Sequence, residues 1–306
     1  MDGVDAASVR VPVALLSLVL ALGACRTRPW AGRADEGGAD LAETADLFNS
    51  DGPTSFDLAP DLTFVRRGGV YVFLTEGVHA SATSPTTSLI AGFDDPASGA
   101  ISDGDEGGNR GRCLFRHVVD MSTTASVPDA GRVSIKAPGG VLAVTPDGTG
   151  RYASDAVQQA LWAGGEPILY GAVGGSVPAF SGSVPAPSHE VLLTPPLVAQ
   201  PTLSRARDVT LTWQGNSTGV FSFDVWSYLP DGTSSVVDCD FDPALGAATV
   251  PSSLLTMLPA GMAYVSVGAI NLVEVTVPGW SIDLIAGRSA VDPAGNVLEQ
   301  LSVQLQ

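Results

Sequence analysis

Serine, histidine, carboxylate and cysteine are the side chains of this sequence whose spacing admits chemistry. Gly215-Asn216-Ser217-Thr218-Gly219 has the G-x-S-x-G spacing with which a strained strand-to-helix turn presents a nucleophilic serine beside an oxyanion hole. That mechanism needs a helix after the motif. Phe221-Ser222-Phe223-Asp224-Val225 alternates as a strand instead, so a hairpin loop is predicted here. Ala100-Ile101-Ser102-Asp103-Gly104 is a looser match with no helix after it. Asp238-Cys239-Asp240-Phe241-Asp242 opens like a calcium loop, but Pro243 stands where the tight turn needs Gly and Thr249 where a bidentate Glu should be. On a strand, period two puts the three aspartates on a wet face and Cys239 with Phe241 on a core face. Asp103, Asp105, Glu106 and Asn109 gather hard oxygen ligands in one stretch and are the calcium candidates, against the simpler reading of a solvated loop. His79, His117 and His189 are the only histidines and none has a metal-type spacing, so a Ser-His-Asp set would have to assemble from distant positions. No P-loop, dinucleotide glycine fingerprint or Cys-x-x-Cys occurs, and no cofactor is expected.

The third cysteine has a different context. Val11 to Leu22 is apolar for about a dozen residues, where a spanning helix needs roughly 20, which suits a signal-peptide core. It runs directly into Leu22-Gly23-Ala24-Cys25, which resembles the lipobox of bacterial lipoproteins. The resemblance implies cleavage before Cys25, diacylglycerol on its sulfur and acylation of the new amino terminus. Two or three chains anchor firmly, because each buried methylene contributes about 0.8 kcal/mol. Arg26 in place of Asp after the cysteine implies, by the same resemblance, an outer-membrane destination. Asp2 and Asp5 against a single Arg10 depart from the usual positive start, and initiation at Val9 from a GTG codon would restore it. With Cys25 lipidated, Cys113 and Cys239 remain. Both alternate inward, beside Phe115 and Phe241, and in an exported protein they are candidates for a disulfide joining two modules, with two buried free thiols as the alternative.

Thirty-two acids against fifteen bases leave a net charge of -17, with no basic stripe to neutralise phosphates, so nucleic-acid binding is disfavoured. From Ala34 to Leu62 there are eight acids and no base, a self-repelling stretch with few large apolar groups. It reads as a tether between the anchor and the rest, and Arg26, Arg28 and Arg33 before it suit anionic headgroups. A short helix around Leu41 to Phe48 is the alternative.

Positioning falls to β-strands. From Thr63 onward apolar alternation is broken by turns, in keeping with 35 Gly and 22 Pro. Val70, Val72 and Leu74 alternate with Tyr71 and Phe73, and Val209, Leu211 and Trp213 with threonines. Phe93 to Arg112 reads as a long surface loop, Ser154 to Trp162 as a short helix or a strand, and Pro251 to Leu258 as the clearest helix. The proline-rich stretch Gly175 to Gln200 suits a crossover or domain seam. The expected fold is all-β, with two antiparallel β-sandwich modules over 63–195 and 196–306 after a signal peptide (1–24) and lipidated tether (25–62). Asp208-Val209-Thr210-Leu211-Thr212-Trp213 resembles a strand of fibronectin-III or immunoglobulin-like domains, which implies an inward Trp213 in the second module.

With PAFSG, LTW, DCDFD and VPSSLL behind a lipobox and acidic linker, the chain resembles envelope lipoproteins of myxobacterial type, a family that brings no particular activity with it. The expectation is a non-enzymatic binding or structural module on the envelope. A protein or glycan ligand would dock on Trp226 and Tyr228, which alternate away from Phe221 and Phe223. An envelope-tethered hydrolase and an assembly factor with an open edge strand are the competing expectations.

Overall fold

The computed structural model describes residues 66–76, 85–94, 113–118, 128–229 and 233–306. Its strands make one large sheet and two small ones. The large sheet runs β3 (Cys113–Val118), β13 (Ser234–Phe241), β12 (Val220–Tyr228), β15 (Gly261–Val277), β16 (Trp280–Ser289), β1 (Arg66–Thr75), β2 (Thr86–Asp94) and β6 (Tyr152–Ala153). β17 (Leu301–Leu305) pairs with β15, and β10 (Thr202–Leu203) with β17. A four-stranded sheet orders β5 (Gly140–Val144), β4 (Val133–Ala137), β7 (Pro167–Ala172) and β8 (Phe180–Pro185). A three-stranded sheet orders β14 (Ala247–Val250), β11 (Val209–Gly215) and β9 (Glu190–Thr194). The fold is thus all-β, and its pairs are antiparallel except β1–β16 and β10–β17. The exceptions involve strands far apart in sequence, where no tight turn dictates direction.

Each small sheet covers part of the large one and closes its own core. The first core holds Val70, Val72 and Leu74 of β1, Ile135 of β4, Ile168 and Tyr170 of β7. The second holds Leu211 and Trp213 of β11, Phe221, Phe223 and Val225 of β12, and Val237 of β13. Trp213 stacks on Phe221 with ring centroids 4.1 Å apart and donates from Nε1 to the Pro243 carbonyl at 2.9 Å. Its one polar atom is therefore satisfied inside the core.

The long strand β15 serves both cores. At about 3.3 Å per residue its 17 residues span roughly 56 Å, more than one sandwich needs. On one parity, Ala263, Val265 and Val267 enter the second core, while Val273, Val275 and Val277 pack against the first. Asn271 lies between them, 4% exposed, and its Nδ2 donates to the Pro185 carbonyl at 2.7 Å.

The chain passes from one small sheet to the other between β8 and β9, within the proline-rich stretch. Both are end strands of their sheets, where proline does least harm. Two segments trade places across the boundary at 195/196. β3 gives Cys113 and Phe115 to the second core, and β16 gives Trp280, Ile282, Leu284 and Ala286 to the first. Such long-range pairing leaves no periodicity for sequence to show.

Two local expectations are corrected. Ser154 to Trp162 is not a helix, because Val157 exchanges backbone hydrogen bonds with Thr87 at 2.9 Å and is drawn alongside β2. The helix at Pro251 to Leu258 is shorter, α1 (Ser252–Leu255), with Pro251 in extended backbone at its N-cap. Asp208 Oδ1 does the capping from a distance, accepting from Ser252 N at 2.8 Å and Ser252 Oγ at 2.7 Å.

Cys113 and Cys239 face each other in the β3–β13 ladder and are bridged, with Cα atoms 4.0 Å apart. The bridge ties an end strand of the large sheet to its neighbour and closes a loop of sequence separation 126. By chain entropy, such a closure stabilises by up to about 5 kcal/mol. Denaturant unfolding with and without reductant is expected to show a loss of up to that size, and unchanged midpoints would count against it.

Candidate functional site

The face of the large sheet turned away from both cores carries a cleft of about 100 Å³. One wall is aromatic and aliphatic: Tyr71 and Phe73 of β1, rings stacked 6.5 Å apart, with Ile285 of β16. The other is polar, with Asp224 of β12, Ser266 of β15, Ser289 of β16 and Glu299. The hollow exists because two neighbouring strands carry glycine. A Cβ at Gly287 would lie 2.4 Å from Cε1 of Phe73, so only glycine lets that ring lie down on the sheet. A Cβ at Gly268, in the lining, would meet the Arg288 carbonyl at 2.7 Å.

The carboxylates are oriented by hydroxyls. Glu299 Oε2 accepts from Thr75 Oγ1 at 2.5 Å and Ser289 Oγ at 2.8 Å. Asp224, 5% exposed, accepts at Oδ2 from Ser222 Oγ at 3.1 Å. Arg288 also lines the cleft, but its guanidinium is paired with Glu76 and the Ala163 carbonyl. Gln300 holds the loop end in place, with a positive φ of 50° and its N–H donated to Ser266 Oγ at 3.2 Å.

A second polar group lies where the chain crosses between the cores. Glu190, 1% exposed, accepts at Oε1 from Ser217 N at 2.8 Å. Its carboxylate sits directly on Gly215, where a Cβ would be 1.9 Å from Oε2. Ser217 Oγ donates to the Ser188 carbonyl at 3.0 Å. His189, next to Glu190 in the chain, feels the charges of Arg288, Glu76 and Glu190. Burial first, then the Arg288 guanidinium, hold its imidazole below the usual 6.5, while Glu76 and Glu190 pull the other way.

The residues singled out by sequence are placed as follows. Ser217 is not in a hairpin, since β11 and β12 lie in different sheets and its loop joins the two layers. Its hydroxyl proton is spent on a carbonyl, and a strand follows it, so the elbow geometry does not arise. His117 Nδ1 lies 3.2 Å from Ser235 Oγ across the β3–β13 ladder. β13 is paired on both sides there, so its N–H groups belong to the ladders and are not available to hold an oxyanion. The supposed wet face of Asp238, Asp240 and Asp242 is corrected. Asp238 is 6% exposed with Arg116 Nη2 at 3.5 Å, and Asp242 caps a 3-10 turn by accepting from Ala244 N at 3.0 Å. Trp226 is likewise buried, at 1% exposure, whereas Tyr228 is 49% exposed and meets Tyr264 edge-on at 5.7 Å. Cys25 with Leu22, Gly23 and Ala24, the calcium candidates Asp103, Asp105, Glu106 and Asn109, and His79 and Ser102 lie outside the described residues. The cleft is hardly marked in the sequence. Its one local trace is the outward aromatic pair Tyr71 and Phe73, while Glu299 and Asp224 arrive from distant segments.

No family model and no curated protein matches the chain. Among solved structures, it is similar to fibronectin(III)-like modules of CbhA from Clostridium thermocellum, with 10% identity over 71% of this chain and 89% of that one, TM-score 0.17. It is also similar to a tetra-tandem repeat from the extending region of a large adhesion protein, with 13% identity over 74% of each chain, TM-score 0.18. A third likeness, to a Salmonella alpha-2-macroglobulin mutant, has 14% identity over 72% of this chain and 17% of that one, TM-score 0.17.

His189 gives the crossover a pH dependence of defined sign. Its folded pKa is depressed, so its contribution is complete above the unfolded value near 6.5 and is lost as pH falls through the folded value. The stability difference between neutral pH and the acid side of that window is expected to shrink in His189→Asn. Equal pH profiles for the two proteins, followed by denaturant unfolding, would contradict it.

Proposed function

We propose that the protein is an exported lipoprotein, held on the bacterial outer membrane by acyl chains on Cys25, whose β-region is a non-enzymatic binding or structural module. The observation that carries this reading is the Cys113–Cys239 bridge, which belongs to an oxidising compartment outside the cytosol. Export then gives the apolar run ending at Leu22-Gly23-Ala24-Cys25 its purpose, and the third cysteine is the one the lipobox would use. Among the described residues no helix is long and apolar enough to cross a membrane. In this reading attachment comes from the lipid on Cys25. The acidic tract from Ala34 to Leu62 acts as the tether.

The competing reading, a tethered hydrolase, draws on the His117–Ser235 contact. The contact uses Nδ1, which in a triad faces the orienting carboxylate, while Nε2 faces the nucleophile. Together with the occupied ladder on both sides of Ser235, this favours a structural role for the pair.

Mass spectrometry of the mature amino terminus, on protein prepared from the membrane fraction, is expected to find a chain beginning at acylated Cys25. Cys25→Ala is expected to leave the protein unprocessed or in the soluble fraction. An unmodified terminus at another residue, or wild-type partitioning of Cys25→Ala, would overturn the anchor.

A further inference from the structure

We infer that the open edge of β15, from Leu272 to Val277, takes up an extended segment of a partner protein in which basic residues alternate with apolar ones. The inference rests on the binding-module reading and gives that module a partner class. The edge is open because β12 stops short. Its ladder with β15 begins at Val220 opposite Ile270, where Gly219, at φ 91°, brings the chain in from the three-stranded sheet. A Cβ at Gly219 would lie 2.4 Å from the Ile270 carbonyl, so glycine is needed for a turn this close to β15. On its other side β15 stays paired with β16, without a shift of register, as far as Val277 opposite Trp280.

Val267 shows which way the backbone groups of β15 point. Its carbonyl accepts from Ala290 N at 2.8 Å, on the β16 side. With period two, the odd-numbered residues therefore turn their backbone groups to β16 and the even-numbered ones to the side of β12. Beyond Ile270 that second side has no strand among the described residues, so Leu272, Glu274 and Thr276 each present an N–H and a C=O on an open edge. Leu272 is half-buried, and Glu274 and Thr276 are exposed.

The inward side of the same stretch is unfinished. Val265, Val267 and Ala269, where β12 lies alongside, are at most 2% exposed, whereas Val273, Val275 and Val277 of the same parity are only partly buried. An added strand would lay alternate side chains beside these valines and remove apolar surface from water. Main-chain bonds give such a strand affinity, and its side chains give specificity.

Charge decides which strand. Glu274 stands in the middle of the open edge, with Oε1 accepting from the Ser281 hydroxyl. In an antiparallel ladder the residue opposite lies on the same face and within reach, so a basic side chain is attracted there. A second copy is repelled: self-pairing through Leu272, Glu274 and Thr276 together sets Glu274 against itself, between molecules that each carry a net charge of -17. The tract from Ala34 to Leu62, with eight acids and no base, is repelled in the same way.

Fluorescence anisotropy with detergent-solubilised full-length protein would follow labelled, end-blocked peptides: VKVKVKV, its glutamate counterpart VEVEVEV, and two N-methylated forms of the first. A lysine opposite Glu274 exchanges main-chain bonds with β15, while the valines turn their N–H groups away. Saturable VKVKVKV binding is expected, with VEVEVEV excluded. N-methylation of the lysines is expected to weaken binding at least about tenfold, and N-methylation of the valines to leave it within about twofold. Glu274→Gln is expected to weaken it about threefold, and Glu274→Lys to reverse the preference toward VEVEVEV. No saturable VKVKVKV binding, equal loss from the two methylated peptides, or wild-type binding of VEVEVEV as tight as VKVKVKV would overturn the inference. A wild-type dimer in sedimentation that VKVKVKV disperses would also overturn it, since the edge would then belong to a second copy. The peptide series on the wild type decides even where a variant misfolds. Its failure is distinct from failure of the lipoprotein reading, because the anchor at Cys25 is read separately by mass.

Discussion

The antiparallel ladder between β15 and β16, running from Gly268 opposite Ser289 to Val277 opposite Trp280, is the constraint on which both cores depend. Through it Trp280, Ile282 and Leu284 reach the first core while the other end of β15 closes the second. A short strand could serve one sandwich only. Because β15 is continuous, the two sandwiches share a strand instead of meeting through a flexible linker. The cleft is built on the same ladder, with Gly268 on one strand and Gly287 on the next.

Where the cores part, apolar packing gives out, and polar groups take over the filling. Asn271 answers the Pro185 carbonyl, Glu190 answers the Ser217 amide, and Arg288 answers Glu76. Buried charges of this kind repay their desolvation only when partners are close and well aimed, so they are better at fixing one arrangement than at adding stability. Gly215 and Gly219 fit this view: a Cβ at Gly219 would lie 2.0 Å from Asn271 Oδ1. The connection between β11 and β12 is therefore shaped by the polar groups it must clear, which explains a serine motif with hydrolase spacing and no hydrolase geometry.

Local periodicity carried most of what was legible. Alternation in Val70-Tyr71-Val72-Phe73-Leu74 and in Val209 to Trp213 identifies strands and their inward sides, and the inward Trp213 follows from it. The same rule fails for the outer face of the large sheet. Asp224, Trp226 and Asp238 alternate outward yet are almost fully buried, because alternation says which side a residue takes and not how deep that side lies. Cys113 and Cys239 could be paired by counting, but that they are register partners on adjacent strands depends on β3 leaving its sequence neighbours for the second core. Ser154 to Trp162 shows the converse, a helix-like signal overridden by one ladder contact with Thr87. Of the cleft only the outward pair Tyr71 and Phe73 is legible, since its walls come from β1, β2, β12, β15, β16 and the loop before β17.

The position of the covalent bridge also has a mechanical meaning. A protein held at one end on a surface and loaded at the other is pulled along its contour, and strands peel from the sheet in turn. The segment between Cys113 and Cys239 is excluded from that extension, because load passes through the sulfurs and bypasses it. At about 3.4 Å per residue, a separation of 126 residues removes roughly 430 Å of available slack. Within that shielded length lie the whole of the four-stranded sheet and the strands β9, β11 and β12, so in the oxidised molecule about two fifths of the chain, these strands included, cannot be drawn out under tension.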